Sequence, residues 1–165
     1  MQTQREHTSG SHASMKRGEP NHYLRLAIEL AIDFVIMYLV MYTMIRSLDH
    51  FYLNINNVWM TLMMVTPMAL VMMAAMRSMF PSRTRNLLVV AAALVVFGVS
   101  YYGMRTQWAV GDEQFLKSMI PHHSGAILMC QEASITDPDI QSLCREIIDA
   151  QRREIAQMEA LLEKY

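Results

Sequence analysis

Three long apolar runs constrain this chain more than any other feature. They are Leu24–Ile45 with 22 residues, Val58–Met79 with 22 and Leu87–Met104 with 18. A helix of about 20 residues crosses the hydrocarbon core of a bilayer, so each run is long enough to span. The first run exceeds the core of a secretory signal and no small-residue cleavage site follows it, which argues for a retained span. The sequence therefore predicts an all-α protein with three transmembrane helices over residues 23–106.

Charge predicts the orientation. Arg5, Lys16, Arg17 and Arg25 precede or open the first run, and Arg77, Arg83 and Arg85 lie between the second and third. The loop between the first two runs carries only Arg46. Basic residues flanking spans remain cytoplasmic, so the N-terminus is expected inside and everything after Met104 outside. Tyr42, Phe51, Tyr52, Trp59, Tyr101, Tyr102 and Trp108 gather at the expected outer interface, where aromatic side chains anchor a span. A multi-pass protein of the bacterial inner membrane with a periplasmic C-terminal domain follows. The formal net charge of −1 gives no reason to expect nucleic acid as a partner.

Outside the runs the chain changes character twice. Residues 1–22 are polar, rich in Ser, Gly and His, and are expected to form a disordered cytoplasmic tail. From 107 to 165 the pattern becomes that of amphipathic helices. Asp112 is the expected cap of the first, with apolar residues at Phe115, Leu116, Met119, Ile120, Ala126 and Ile127. In "TDPDI", Asp137 is the expected cap of the second and Pro138 its first helical residue. The outer part is then a two-helix hairpin, half of a four-helix bundle. A lone pair of helices buries little core and needs a further surface, which points to a homodimer.

The stretch "MIPHHSGAILMC", residues 119–130, carries the chemistry. Pro121 removes a backbone donor and its ring opposes the carbonyl of Lys117, so a kink or restart is expected beside His122 and His123. On helical spacing, Met119, His123 and Cys130 share one stripe, and His122 and Met129 its neighbour. Folding the hairpin about residue 137 brings Cys130 level with Cys144 and His123 level with Gln151. It places His122 and Met119 opposite Glu154 and Ile155, with Met158 reaching back. The residue three before His122 is Met119, where the di-iron bundles require glutamate. Thioether with imidazole instead favours a soft ion, above all Cu(I), over Mg or Ca. The candidate metal residues are His122, His123, Met119, Met158, Met129 and Glu154, the carboxylate more suited to orienting a histidine than to binding the ion. The two cysteines stand level in an oxidising compartment, which permits a bridge. Helix axes 8–10 Å apart do not by themselves bring Cα atoms within the roughly 4.4–6.8 Å that a disulfide needs, so spacing leaves this open.

The segment "DEQFLKSMIPHHSGAILMCQEASITDPDIQSLCREIIDAQRREIAQMEALL" resembles the domain-of-unknown-function family 305, a ferritin-like helical group. Phe115, Met119, His122, His123, Ala126, Met129, Ile148, Gln151, Glu154, Ile155 and Met158 carry the pattern. The upstream "DFVIMYLVMY" and "WMTLMMVTPMALVMM" are similar to the family's three-helix, membrane-anchored branch. The resemblance implies copper binding outside the cytoplasm. Cys130 and Cys144 stand outside the family pattern.

Seventeen methionines are an excess, and eight of them fall between Met60 and Met79. Their four-residue steps drift around a helix instead of forming a straight file. A copper-conducting path is one alternative, and a structural or assembly role with no metal is another. Glu29 and Asp33 are costly inside a span; Arg25, one turn earlier, can pair with Glu29, while Asp33 implies a protonated carboxyl, an ion or a partner helix. No nucleophile, base and orienting group occur together, so binding and metal handling are expected in place of catalysis.

Overall fold

The computed structural model describes residues 22–165, so the polar tail, apart from His22, lies outside the described residues. The order is α1 (His22–Val40), short 3-10 turns at Met41–Met44 and Leu48–His50, and α2 (Ile55–Ala75). A further 3-10 turn at Arg77–Met79 leads to α3 (Arg83–Thr106), α4 (Asp112–Glu132) and α5 (Pro138–Leu162). The described residues are all helix and loop, with no strand.

Among the described residues two helices are long and apolar enough to cross a membrane, α2 with 21 residues and α3 with 24. Helix α1 has 19 residues but holds Arg25, Glu29 and Asp33, and its first run turns from α to 3-10 geometry after Val40 instead of continuing to Ile45. Glu29 and Asp33 are half-buried, while Ile28, Ile32, Val35 and Ile36 on the other side are each more than half exposed. At the end near the chain's start, Leu26, Met73 and Phe80 form a buried cluster on which Tyr23, Met72, Met76 and Met79 pack. Tyr23 donates to Asn86 Oδ1 at 2.7 Å and ties α1 to α3. Of the methionines of α2, Met72 and Met73 join this packing, Met60 and Met64 are exposed, and Met63 and Met68 are half-buried.

At the other end the hairpin does not hang free. Trp59 stacks on Trp108 at 5.7 Å with rings inclined 10°, and its indole N–H donates to the Trp108 carbonyl. Gly103 is required there, since a Cβ would come within 2.9 Å of the Trp59 ring. The turn that reverses the chain puts Gln107 at φ 53° and Ala109 at φ 62°, left-handed conformations that cost non-glycine residues roughly 1–3 kcal/mol and are held by this packing. Helix α4 then passes over the ends of the preceding helices in turn. Gln114 Oε1 accepts from Ile55 N at 3.0 Å, Asn56 donates to Ser118 Oγ at 3.2 Å, and Ser124 Oγ accepts from Arg46 N at 2.7 Å.

Two local expectations are corrected. Helix α4 does not restart at Pro121: its helical residues run from Asp112 to Glu132. The lost N–H bond and the opposed Lys117 carbonyl are tolerated because Ile120 and Ile127, 0% and 3% exposed in the hairpin core, pack both halves into one helix. The cap of α4 is Gly111, not Asp112. The Asp112 carboxylate instead accepts from Tyr165 Oη at 3.2 Å, while its charge still suits the first turn of a helix. At α5, Asp137 caps as its sequence requires, accepting from Asp139 N at 2.8 Å and Ile140 N at 3.2 Å, with Pro138 at the first position.

Candidate metal centre

The hairpin core consists of Leu116, Ile120 and Ile127 from α4 and Ile155 and Met158 from α5, with Met119, Ile148, Leu162 and the loop residue Tyr52 packed against it. Tyr52 shows that the loop between α1 and α2 supplies part of the cover that a helix pair lacks.

The histidines stand at the edge of this core. His123 is half-buried, its side chain 13% exposed, and its Nδ1 lies 2.9 Å from Glu154 Oε2. The two atoms are close without the alignment of a hydrogen bond, so the contact becomes an ion pair when the imidazole is protonated. Glu154 is thus the carboxylate against a histidine, as expected, but against His123, which register had put level with Gln151. Side chains on a helix lean toward its N-terminus, so in an antiparallel pair they lean in opposite directions. Their tips therefore meet about one turn from the pairing that Cα register gives. His122 is exposed, with its ring 5.9 Å from that of His123 at 61°. Met158, one turn nearer the Asp112 end of the hairpin, is buried in the core, and Met119 packs against that core. Met129 is 54% exposed and stands apart, two turns along α4. The structure thus brings His123 against Glu154, puts Met119 and Met158 in one core, and leaves His122 at the surface. Among the described residues no three His, Cys, Asp or Glu side chains gather as a cation cluster, so any ion held here would draw on the thioethers.

Cys130 and Cys144 are joined as a disulfide, with Cα atoms 5.3 Å apart. The bridge lies close to the connection between α4 and α5, where the two helices have barely separated.

A second polar site was not evident from local sequence. Ser124 is fully buried, and its hydroxyl accepts from Arg46 N and meets His50 Nδ1 at 2.7 Å. The backbone N–H can only donate, so the hydroxyl hydrogen is free to turn to His50 Nδ1, which leaves the hydrogen of a neutral His50 on Nε2. That Nε2 faces Glu159 Oε1 at 3.9 Å. Arg46 Nε donates to Gln131 Oε1 at 2.6 Å. An open cleft of about 430 Å³ lies alongside, lined by Arg46, His50, Arg152, Ile155 and Glu159 among others. His50 and Ser124 are 74 positions apart, and neither lies in a motif that local spacing could have marked.

This is the architecture of a helical protein with membrane-length helices carrying a disulfide-closed His/Met hairpin. The sequence signature described as "Domain of unknown function (DUF305)" matches residues 60–162. An uncharacterized protein, L153, from Acanthamoeba polyphaga mimivirus is 34% identical over 120 residues, covering 72% of this chain and 77% of its own. The chain belongs to the DUF305 family. No solved structure matches it.

Proposed function

We propose that this protein is a membrane-anchored binder of copper, as Cu(I), acting in metal homeostasis or resistance outside the cytoplasm of a bacterium. The observation that carries the reading is the half-buried His123 imidazole against Glu154, beside His122 and one turn from Met119 and Met158. Imidazole and thioether together suit a soft ion, and a small turn of the Glu154 carboxylate, already 2.9 Å from Nδ1, would let it accept from Nδ1–H and leave Nε2 as donor. The role is binding in place of catalysis: among the described residues no nucleophile stands beside His123, and the Ser124 hydroxyl at His50 is fully buried and already held by Arg46 N.

Helix α1 serves as a third span. Its exposed apolar side is suited to lipid, and its carboxylates are the half-buried groups. The basic residues place the N-terminus in the cytoplasm of the inner membrane and the hairpin in the periplasm. The hairpin pairs with that of a second copy, completing a four-helix arrangement through apolar residues left open on α5, Ile140 and Leu143.

The test is competitive Cu(I) titration of the whole protein in detergent. The His122→Ala/His123→Ala double mutant is expected to lose most Cu(I) affinity and keep its helicity. Glu154→Gln weakens binding in part, by about 10–100-fold. Binding also falls in acid, because a protonated imidazole has no lone pair to give. A double mutant that binds as the parent does overturns the reading.

A further inference from the structure

The cysteines belong to neither polar site. Cys130 lies seven residues beyond His123, about 10.5 Å along α4 at 1.5 Å per residue, too far for one ion to bridge the two places. Both are half-buried, and the segment 131–134 beside them is exposed. Met129, adjacent to Cys130, is 54% exposed and adds a third sulfur to this end of the hairpin. The bridge is therefore open to small reductants from the turn.

We propose that Cys130 and Cys144 form a second, redox-gated soft-metal site, closed as the disulfide and able to hold one Cu(I) when reduced. A dithiol reductant opens it. One thiolate of the reductant attacks a cysteine sulfur, the S–S bond breaks, and the other cysteine leaves as thiolate. The reductant's second thiolate then displaces the first cysteine and departs as a cyclic disulfide. Two electrons pass to the pair, and both cysteine sulfurs take up protons. Binding of Cu(I) releases those two protons and forms two S–Cu bonds.

Donor chemistry selects the ion. Thiolates favour Cu(I) and Zn(II) among the common metals. Structural zinc requires four ligands. Among the described residues no third His, Cys, Asp or Glu joins the pair, which leaves zinc's shell incomplete. Cu(I) is satisfied by two thiolates in a near-linear arrangement and needs no third donor. Metal–thiolate bonds of about 2.3 Å put the two sulfurs up to roughly 4.6 Å apart. Cα atoms 5.3 Å apart allow that by rotation about the two Cα–Cβ bonds, with no movement of either helix.

The inference rests on the soft-metal reading of this hairpin but fails separately from it. Full-length protein in detergent is titrated anaerobically with Cu(I) against a chromogenic chelator, once oxidised and once after dithiothreitol treatment and gel filtration. The reduced form is expected to bind one more Cu(I) per chain than the oxidised form. His122→Ala/His123→Ala should keep that increment, and Cys130→Ser/Cys144→Ser should lose it while retaining the histidine-dependent binding. Equal stoichiometry in the two redox states of the unmutated chain overturns the proposal, as does a serine variant that keeps the increment. A His122→Ala/His123→Ala variant that binds as much Cu(I) as the parent in both redox states, with the increment intact, overturns only the reading in the preceding subsection.

Discussion

Replacement of Ser124 by alanine tests how the hairpin is held to the rest of the chain. The hydroxyl is fully buried and makes two contacts of 2.7 Å, from Arg46 N and to His50 Nδ1. A typical hydrogen bond contributes about 1 kcal/mol net, and a buried donor left without a partner costs about 1–3 kcal/mol. Alanine fits the space but leaves Arg46 N and His50 Nδ1 without their partner, so the loop should lose about 2–3 kcal/mol of docking stability. At 1.4 kcal/mol per factor of ten, that is about a 30- to 150-fold rise in local opening. Hydrogen exchange over residues 44–54, read by mass spectrometry in detergent, measures it directly. The cores of α4 and α5 should keep their protection, because their own packing is untouched. Exchange in that segment unchanged from the parent would refute the reasoning, since it would mean that Ser124 does not fasten the loop. A double-mutant cycle with His50→Ala should show coupling of about 0.5–3 kcal/mol between the two residues.

Gly103→Ala should drive the Trp59 ring off its stack on Trp108, costing about 1–3 kcal/mol by overpacking, and shift tryptophan emission; an unchanged spectrum and melting temperature count against this. Tyr165 donates to the Asp112 carboxylate, which holds the phenol's pKa above its ordinary value of 10.0. Because the pKa is raised in the folded protein, the contact persists below about 10 and is lost as pH rises through the raised value. Asp112→Asn should return the titration of a labelled Tyr165 toward the ordinary value, and a pKa indifferent to that change would remove Asp112 as the cause. For topology, alkaline phosphatase fused after Tyr165 should be active and fused at residue 82 inactive, and the reverse pattern would invert the orientation.

Much of the helical layout was legible because periodicity and caps are local. The apolar runs marked α2 and α3, and Asp137–Pro138 marked the start of α5 within one residue. Local rules misplaced the features that tertiary packing decides. Pro121 is a helix breaker by its own chemistry, yet Ile120 and Ile127 anchor the helix on both sides and it continues. Asp112 is a good cap by type, yet the Tyr165 phenol takes its carboxylate and Gly111 caps instead.

At the candidate site the division is the same. Sequence spacing by itself selected His122, His123, Met119 and Met158, because residues three and four apart share a helix face whatever surrounds them. It named Glu154 as the carboxylate for a histidine but put it level with His122, since the meeting with His123 depends on how two antiparallel sets of side chains lean toward one another. Nor could it decide the Cys130–Cys144 bridge, which required the helices to approach to 5.3 Å near their connection. His50 and Ser124 were beyond it altogether. Their contact spans 74 residues, and only a loop folded back onto the buried face of α4 makes it. The sequence determined which chemistry each helix carries, because that is written in local periodicity; the tertiary structure alone decided which chemistries meet, because long-range contacts depend on packing that no local pattern encodes.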